Sequence, residues 1–214
     1  CLYMSDLQEF EALGLSEVML GAVEAKGFET PSPIQKLTIP VLLGRTNDII
    51  AQAQTGTGKT AAFGLPVLDR LTPSREGVQA LVLVPTRELA LQVAEELLSF
   101  NRKKPSIAAI YGGASMSEQL RRLAKGIDIV VGTPGRILDH IRRGTLKLEH
   151  TRYLILDEAD EMLNMGFIED IEEIMSHVDE KRRVLLFSAT MPERIVQLSK
   201  KYMHDTEILK VESA

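Results

Sequence analysis

DIIAQAQTGTGKTAAF, residues 48–63, runs from an apolar, β-branched stretch through a glycine-rich turn into a segment patterned as a helix. The turn ends in Gly58-Lys59-Thr60, the close of the phosphate-binding pattern G-x-x-x-x-G-K-[ST]. Five positions before Gly58 stands Ala53, where that pattern has glycine. A strand, a glycine-rich loop and a helix start in this order turn backbone N–H groups and a helix N-terminus toward phosphate oxygens. Gln54, Thr55, Gly56, Thr57 and Gly58 are the candidate cradle, with the two glycines allowing the tight curl. Lys59 can reach the β and γ phosphates, and Thr60 can hold Mg²⁺. The side chain of Ala53 is small enough to stand in for glycine.

Working outward, six more apolar runs recur along the chain: ALVLV (80–84), IAAIY (107–111), DIVVG (128–132), YLILD (153–157), VLLFS (184–188) and EILKV (207–211). Amphipathic segments lie between them. In RELALQVAEELLSF, Leu89, Val93 and Leu97 recur at helical spacing, and in FIEDIEEIMSHV so do Phe167, Ile171 and Ile174. Near-continuous apolar strands alternating with helices predict an α/β fold. Its central sheet is mostly parallel, of about seven strands, with helices on both faces. In such sheets ligands bind at the carboxyl ends of the strands, where this sequence turns polar and glycine-rich. Residues 5–45 read as two helices around GFETPSPIQ, residues 46–214 as the nucleotide-binding core, and 5–214 as one domain. Residues 1–4 read as a leading remnant and a start at Met4. Pro66, inside the helical TAAFGLPVLDRL, is expected to kink or loosen a turn.

Composition narrows the partners. A formal charge of −5 argues that any nucleic-acid contact is a local patch rather than a global field. The only cysteine is Cys1, which excludes a disulfide framework or cysteine-based zinc site and fits a cytoplasmic protein. The four histidines, His140, His150, His177 and His204, lack ligand spacing and read as surface residues. No apolar run approaches the eighteen or so residues of a membrane span.

YLILDEAD ends an apolar strand in carboxylates, 97 residues after Thr60. Asp157 is placed to meet a nucleotide-bound Mg²⁺, and Glu158 to orient or deprotonate an attacking water. Beside the loop of residues 53–60, this acidic group points to nucleotide hydrolysis rather than to a solvated turn.

With DEAD the whole chain resembles the N-terminal RecA-like domain of the DEAD-box RNA helicases, and DEADEMLNMGF resembles prokaryotic members. The family's loop has the form A-x-T-G-x-G-K-T, which Ala53 to Thr60 match. GFETPSPIQ (27–35) is similar to the family's adenine-reading segment, with Phe10 as its upstream aromatic. The resemblance implies that Phe28 packs on adenine and Gln35 hydrogen-bonds its edge. It also implies RNA-backbone contacts at Pro85, Thr86 and Arg87, at Gly113 beside Gly112, and at Thr133, Pro134, Gly135 and Arg136. Ser188, Ala189 and Thr190 are implied to couple hydrolysis to strand separation through Asp160.

The family works with two RecA-like domains, so the resemblance implies a second domain outside these residues. That domain would complete the RNA groove and bring the arginine that stabilises the transferring phosphoryl group. Such an arginine is worth about 10³–10⁵ in turnover. The isolated chain is therefore expected to be monomeric, to bind ADP or ATP with Mg²⁺, to hold RNA weakly and to hydrolyse almost nothing. A P-loop GTPase would carry N-K-x-D, which does not occur here. A small-molecule kinase is disfavoured by the Asp157-Glu158 pair and the Gln35 segment. A nucleotide-gated RNA clamp without productive unwinding would use the same residues as a helicase.

Overall fold

The computed structural model describes residues 6–212 except 55, 57 and 75, so Thr55, Thr57 and the leading residues 1–4 lie outside the described residues. Three helices come first: α1 (Asp6–Glu11), α2 (Glu17–Lys26) and α3 (Pro33–Gly44). Strand β1 (Ile49–Gln52) then feeds α4 (Lys59–Arg70), and β2 (Ala80–Leu83) feeds α5 (Arg87–Ser99). The alternation continues through β3 (Ile107–Ile110), α6 (Met116–Lys125), β4 (Ile129–Gly132) and α7 (Pro134–Arg142). Next come β5 (Tyr153–Leu156), α8 (Ala159–Asn164) and α9 (Ile168–Ser176). The chain closes through β6 (Arg183–Ser188), α10 (Glu193–Tyr202) and β7 (Glu207–Lys210).

All seven apolar runs are strands of one sheet, in the order β3-β4-β2-β5-β6-β1-β7, and every pairing is parallel. Side chains alternate between the faces as a pleat requires. Ile49 and Ala51 join one core with Met19, Phe63 and Leu97, beneath α2–α5. Ile50 joins the other, with Ile137, Met162, Ile171 and Leu198 from α7–α10. Because both faces are covered, β2 and β4 are buried at every position. Phe10 and Ile34 belong to the first core, so the N-terminal helices pack into the same body as the strands.

Two buried aspartates stand just before strands and tie down the amino-terminal loops. Asp48 accepts from the backbone N–H of Val184 (2.8 Å) and His204 (2.6 Å), and Asp128 accepts from those of Ser74 and Ser106 and from the Gln79 amide. Among the described residues no helix is long and apolar enough to cross a membrane.

Two expectations need correction. The N-terminal region has three helices, because the single turn and a half of α1 is too short to show a periodicity. Pro66 lies inside α4, which runs on past it, with the ring buried. His140 is not a surface residue but fully buried (0 % exposed), whereas His150, His177 and His204 are exposed.

Candidate nucleotide and nucleic-acid site

Because every strand points the same way, the glycine loop, the acidic turn and the RNA-candidate loops all open on one edge of the sheet. β1 carries the loop and β5 the acidic turn, with β6 between them. Ala53 packs on the first core, its N–H donating to Ser188 O (3.2 Å), so its methyl group is accommodated there. Gly56 (φ 140°) and Gly58 (φ 88°) hold conformations that side chains rarely adopt. At Gly58 space is also short: a β-carbon would lie 2.5 Å from Gln35 Nε2 and 2.6 Å from Ser32 Oγ.

Gln35 is 4 % exposed and belongs to this loop's support. Its Oε1 accepts from the N–H of Ser32 (3.0 Å), closing a capping box on α3, and its Nε2 donates to Gly58 O (3.2 Å). One N–H and one lone pair of the amide remain. Phe28 is half-buried, stacked on Phe10 (6.2 Å between centroids) and tilted against Phe100 (5.8 Å).

Lys59, the first residue of α4, projects its Nζ to 2.9 Å from Asp157 Oδ1 and 3.6 Å from Glu158 Oε1. Asp157 is 3 % exposed, and its N–H donates to Leu83 O at the end of β2 (2.9 Å). Burial pushes the Asp157 carboxyl up, and the Lys59 charge pulls it back. Glu158 follows in the left-handed region (φ 54°, ψ 50°), the bend that returns its carboxylate toward Lys59. Burial raises its pKa as well, against Lys59, with the Asp157 charge adding to the rise. Lys59, Thr60, Asp157 and Glu158 line a cavity of about 310 Å³, walled by Gln92 and Glu96 of α5; Phe28 and Gln35 do not line it. Gln54 is exposed and Thr60 half-buried. Larger cavities, of about 660, 640 and 490 Å³, open elsewhere on the molecule.

Asp160 ties the acidic turn to the end of β6. Its Oδ2 accepts from the N–H (3.1 Å) and hydroxyl (2.9 Å) of Thr190, while its own N–H donates to Ser188 Oγ (3.2 Å). Ser188 Oγ donates on to Thr190 O (2.6 Å), and Gln52 Nε2 reaches Ala189 O (3.4 Å) from the end of β1. The three residues predicted to couple thus join both the acidic turn and the strand that carries the glycine loop.

The other half of the edge, β3-β4-β2, gathers the predicted RNA contacts. Thr86 caps α5 by accepting from Leu89 N–H (3.2 Å), next to the buried Pro85. Arg87 is exposed and lies over the Tyr111 ring at 5.2 Å, close to Gly113. Thr133 is the N-cap of α7, Pro134 its first residue and Gly135 is exposed. Arg136 Nη1 donates to Ala114 O (3.3 Å) and Gln119 Oε1 (3.1 Å).

Gln119 and His140 are residues that sequence reasoning missed. Gln119 Oε1 also accepts from His140 Nε2 (2.8 Å), and its Nε2 donates to Tyr111 O (2.9 Å). One buried amide therefore holds Arg136 directly and, through Tyr111, the ring beneath Arg87. These partners set the amide's orientation, so His140 carries a proton on Nε2, while its Nδ1 lies 2.9 Å from Thr145 Oγ1, whose hydroxyl donates to His140 O (3.1 Å). The only available signal was a lone glutamine in the apolar stripe of a strongly polar helix; it is the one buried residue of α6.

A parallel α/β sheet, a glycine loop before a helix and a buried carboxylate facing the loop lysine define a P-loop nucleotide-binding domain. The family model described as DEAD/DEAH box helicase matches residues 32–198, and the chain belongs to that family. It is 54 % identical over 205 residues to the DEAD-box ATP-dependent RNA helicase CshA of Geobacillus kaustophilus, covering 95 % of this chain and 44 % of that protein. To the ATP-dependent RNA helicase DeaD of Haemophilus influenzae it is 53 % identical over 210 residues, 97 % of this chain and 34 % of the relative. A crystal structure of a DEAD box protein from the hyperthermophile Methanococcus jannaschii superposes with a TM-score of 0.91 at 51 % identity, over 98 % of this chain and 56 % of that one. The chain thus spans less than half the length of these curated relatives.

Proposed function

We propose that this chain is the nucleotide-binding half of an ATP-dependent RNA helicase, in which ATP binding and hydrolysis govern the grip on RNA. The observation that carries this is the buried Lys59–Asp157 pair, 2.9 Å apart under the glycine loop, on the same sheet edge as Arg87 and Arg136. Asp157 neutralises Lys59 in this state. An incoming triphosphate offers the ammonium denser negative charge, so Lys59 moves to the β and γ oxygens and leaves Asp157 free. Asp157 Oδ1 is buried and, although near Lys59, has no well-aligned hydrogen-bond donor, which suits a cation. Asp157 and the Thr60 hydroxyl would hold Mg²⁺, which needs few protein ligands when phosphates and waters complete its shell. When bound, the ion neutralises charge that develops between the β and γ oxygens.

Glu158 takes the proton of the attacking water, and its raised pKa brings it toward the range where a general base works best. Gln35 reads the adenine edge with its remaining N–H and lone pair, while Phe28 supports the base. The glycine-loop amides from Gln54 to Gly58, Thr55 and Thr57 included, cradle the phosphates. Arg87 and Arg136 meet RNA phosphates, with Thr86, Thr133 and the turns at Pro85, Gly113, Pro134 and Gly135 shaping the contact. Asp160 passes the state of the γ-phosphate to Ser188–Thr190. The transition-state arginine belongs to the part of the relatives' length beyond this chain.

Steady-state ATP turnover by residues 1–214, with and without single-stranded RNA, tests the reading alongside calorimetric ADP binding. ADP binding with turnover at least about 10³-fold below that of a full-length relative is expected. Robust RNA-stimulated turnover by the chain alone would show that it assembles a complete site. Lys59→Ala is expected to abolish ADP binding, and unchanged affinity would remove the phosphate-loop assignment.

A further inference from the structure

The cavity of about 640 Å³ opens among the loops that precede β1, β5 and β6, the amino-terminal edge of the sheet and so the edge opposite the nucleotide site. Its lining carries five cations, Arg45, Arg70, Arg152, Lys181 and Arg183, against the two carboxylates Glu76 and Asp179. That balance runs against a chain with 25 basic and 30 acidic residues. Arg45 is paired with Glu207 at 2.6 Å. Among the described residues, none of the other four has a carboxylate within ion-pair distance, although six such contacts are made elsewhere.

Helix capping accounts for part of this cluster. Arg183, 8 % exposed, donates to Val41 O, Leu42 O and Asn47 O, and Arg70 donates to Leu43 O, so both hold carbonyls at the end of α3. These bonds use three of the five N–H groups of Arg183 and one of those of Arg70. Neither Arg152 nor Lys181 caps anything with its side chain. Both are exposed at the cavity, Arg152 lying over the Tyr153 ring. Arg183 has nearby carboxylate charge, from Asp48 and Glu207, whereas Arg70, Arg152 and Lys181 are exposed, so the concave wall presents a local surplus of positive charge that favours an anion.

We infer that this cavity is an anion site for a phosphomonoester or diphosphate group, separate from the ATP pocket. Planar guanidinium forks from Arg70 and Arg152 suit phosphate oxygens, with the Lys181 ammonium as a mobile point charge. The phosphate could come from a free small molecule or from the 5′ end of an RNA, and the two sources are separable.

The test is pyrophosphate binding by calorimetry without divalent cations, on the 214-residue chain carrying Lys59→Ala to silence the glycine loop. A second chain adds Arg152→Ala and Lys181→Ala, both at exposed positions. Binding that survives Lys59→Ala and weakens at least 10-fold with the added pair is expected. Amide shifts in that titration should cluster at residues 44–46, 150–153 and 179–183. Loss of all binding with Lys59→Ala, or indifference to the added pair, overturns the site. A short RNA with a 5′-phosphate against its 5′-hydroxyl twin then identifies the source. A preference lost with the added pair assigns the RNA end, whereas pyrophosphate binding without that preference assigns a free phosphorylated small molecule.

Discussion

At the scale of single residues, Glu158 is, with Lys104 and Asp205, one of three described non-glycine residues in the left-handed region, and the one that lies in the site. Such a conformation costs about 1–3 kcal/mol, held here because the bend returns the carboxylate to Lys59. Glu158→Gln keeps the strain, whereas Glu158→Gly relieves it at some cost in unfolded-chain entropy. In urea titrations the glycine variant should be the more stable of the two, by up to about 1 kcal/mol. A glutamine variant clearly more stable than the glycine one would mean that the bend is unstrained. His140 supplies a pH signature. Burial, then the neighbouring Arg136 charge, hold its pKa below the usual histidine value. The unfolded chain therefore takes up the proton first, and the stability contributed by neutral His140 is present above about pH 6.5 and lost as pH falls below it. Urea midpoints at pH 7.5 and 5.5 should drop for the parent and change less for His140→Asn, and equal drops would discount this histidine. The phosphate and carboxylate residues were legible because their chemistry fixes their spacing. Gln119 and His140 were not, since a buried amide between loops distant in sequence leaves no local pattern.

Secondary-structure elements tell a similar story at the next scale. The seven strands were readable as short, mostly apolar runs, unbroken where both faces are covered as in β2 and β4. The structure keeps all seven, with the edge strand β7 leaving Ile208 exposed. Helix α1, with six residues, fell below the length at which periodicity shows. Asp48 and Asp128 stood in plain view before their strands, yet their bonds to distant amides could not be inferred from neighbours in sequence. The link between the acidic turn and β6 rests on one carboxylate accepting twice from Thr190. Asp160→Ala should cost about 1–2 kcal/mol, at or just below the range for hydrogen bonds to a charged group because the site is partly exposed. It should also speed hydrogen exchange at the Thr190 amide while leaving β6 amides protected. Unaltered Thr190 exchange would show that the turn and the strand end are held together by other contacts.

For the whole molecule, strand order was the part that could not be read, because β2 lies between β4 and β5 and β1 between β6 and β7 only through pairings far apart in sequence. That order splits the carboxyl edge into a half with the proposed RNA contacts and a half with the glycine loop and acidic turn. It also limits how much charge faces the RNA. With Arg87 and Arg136 as the phosphate contacts, log K for single-stranded RNA should fall against log salt with a slope of about −1.4. A slope nearer −5 would show that cations beyond this edge take part. Helices α3 and α4 have twelve residues each and lie side by side, about 18 Å long. Both start at the glycine loop, where Gln35 touches Gly58 and Lys59 opens α4, and both finish at the cationic cavity with Gly44 and Arg70. Of the two starts, only that of α4 lines the nucleotide cavity, with Lys59 and Thr60. If binding at one cavity is coupled to the other through these helices, thermodynamic reciprocity fixes the exchange. Whatever factor a phosphate in the cavity imposes on ATP affinity, ATP imposes in equal measure on the phosphate.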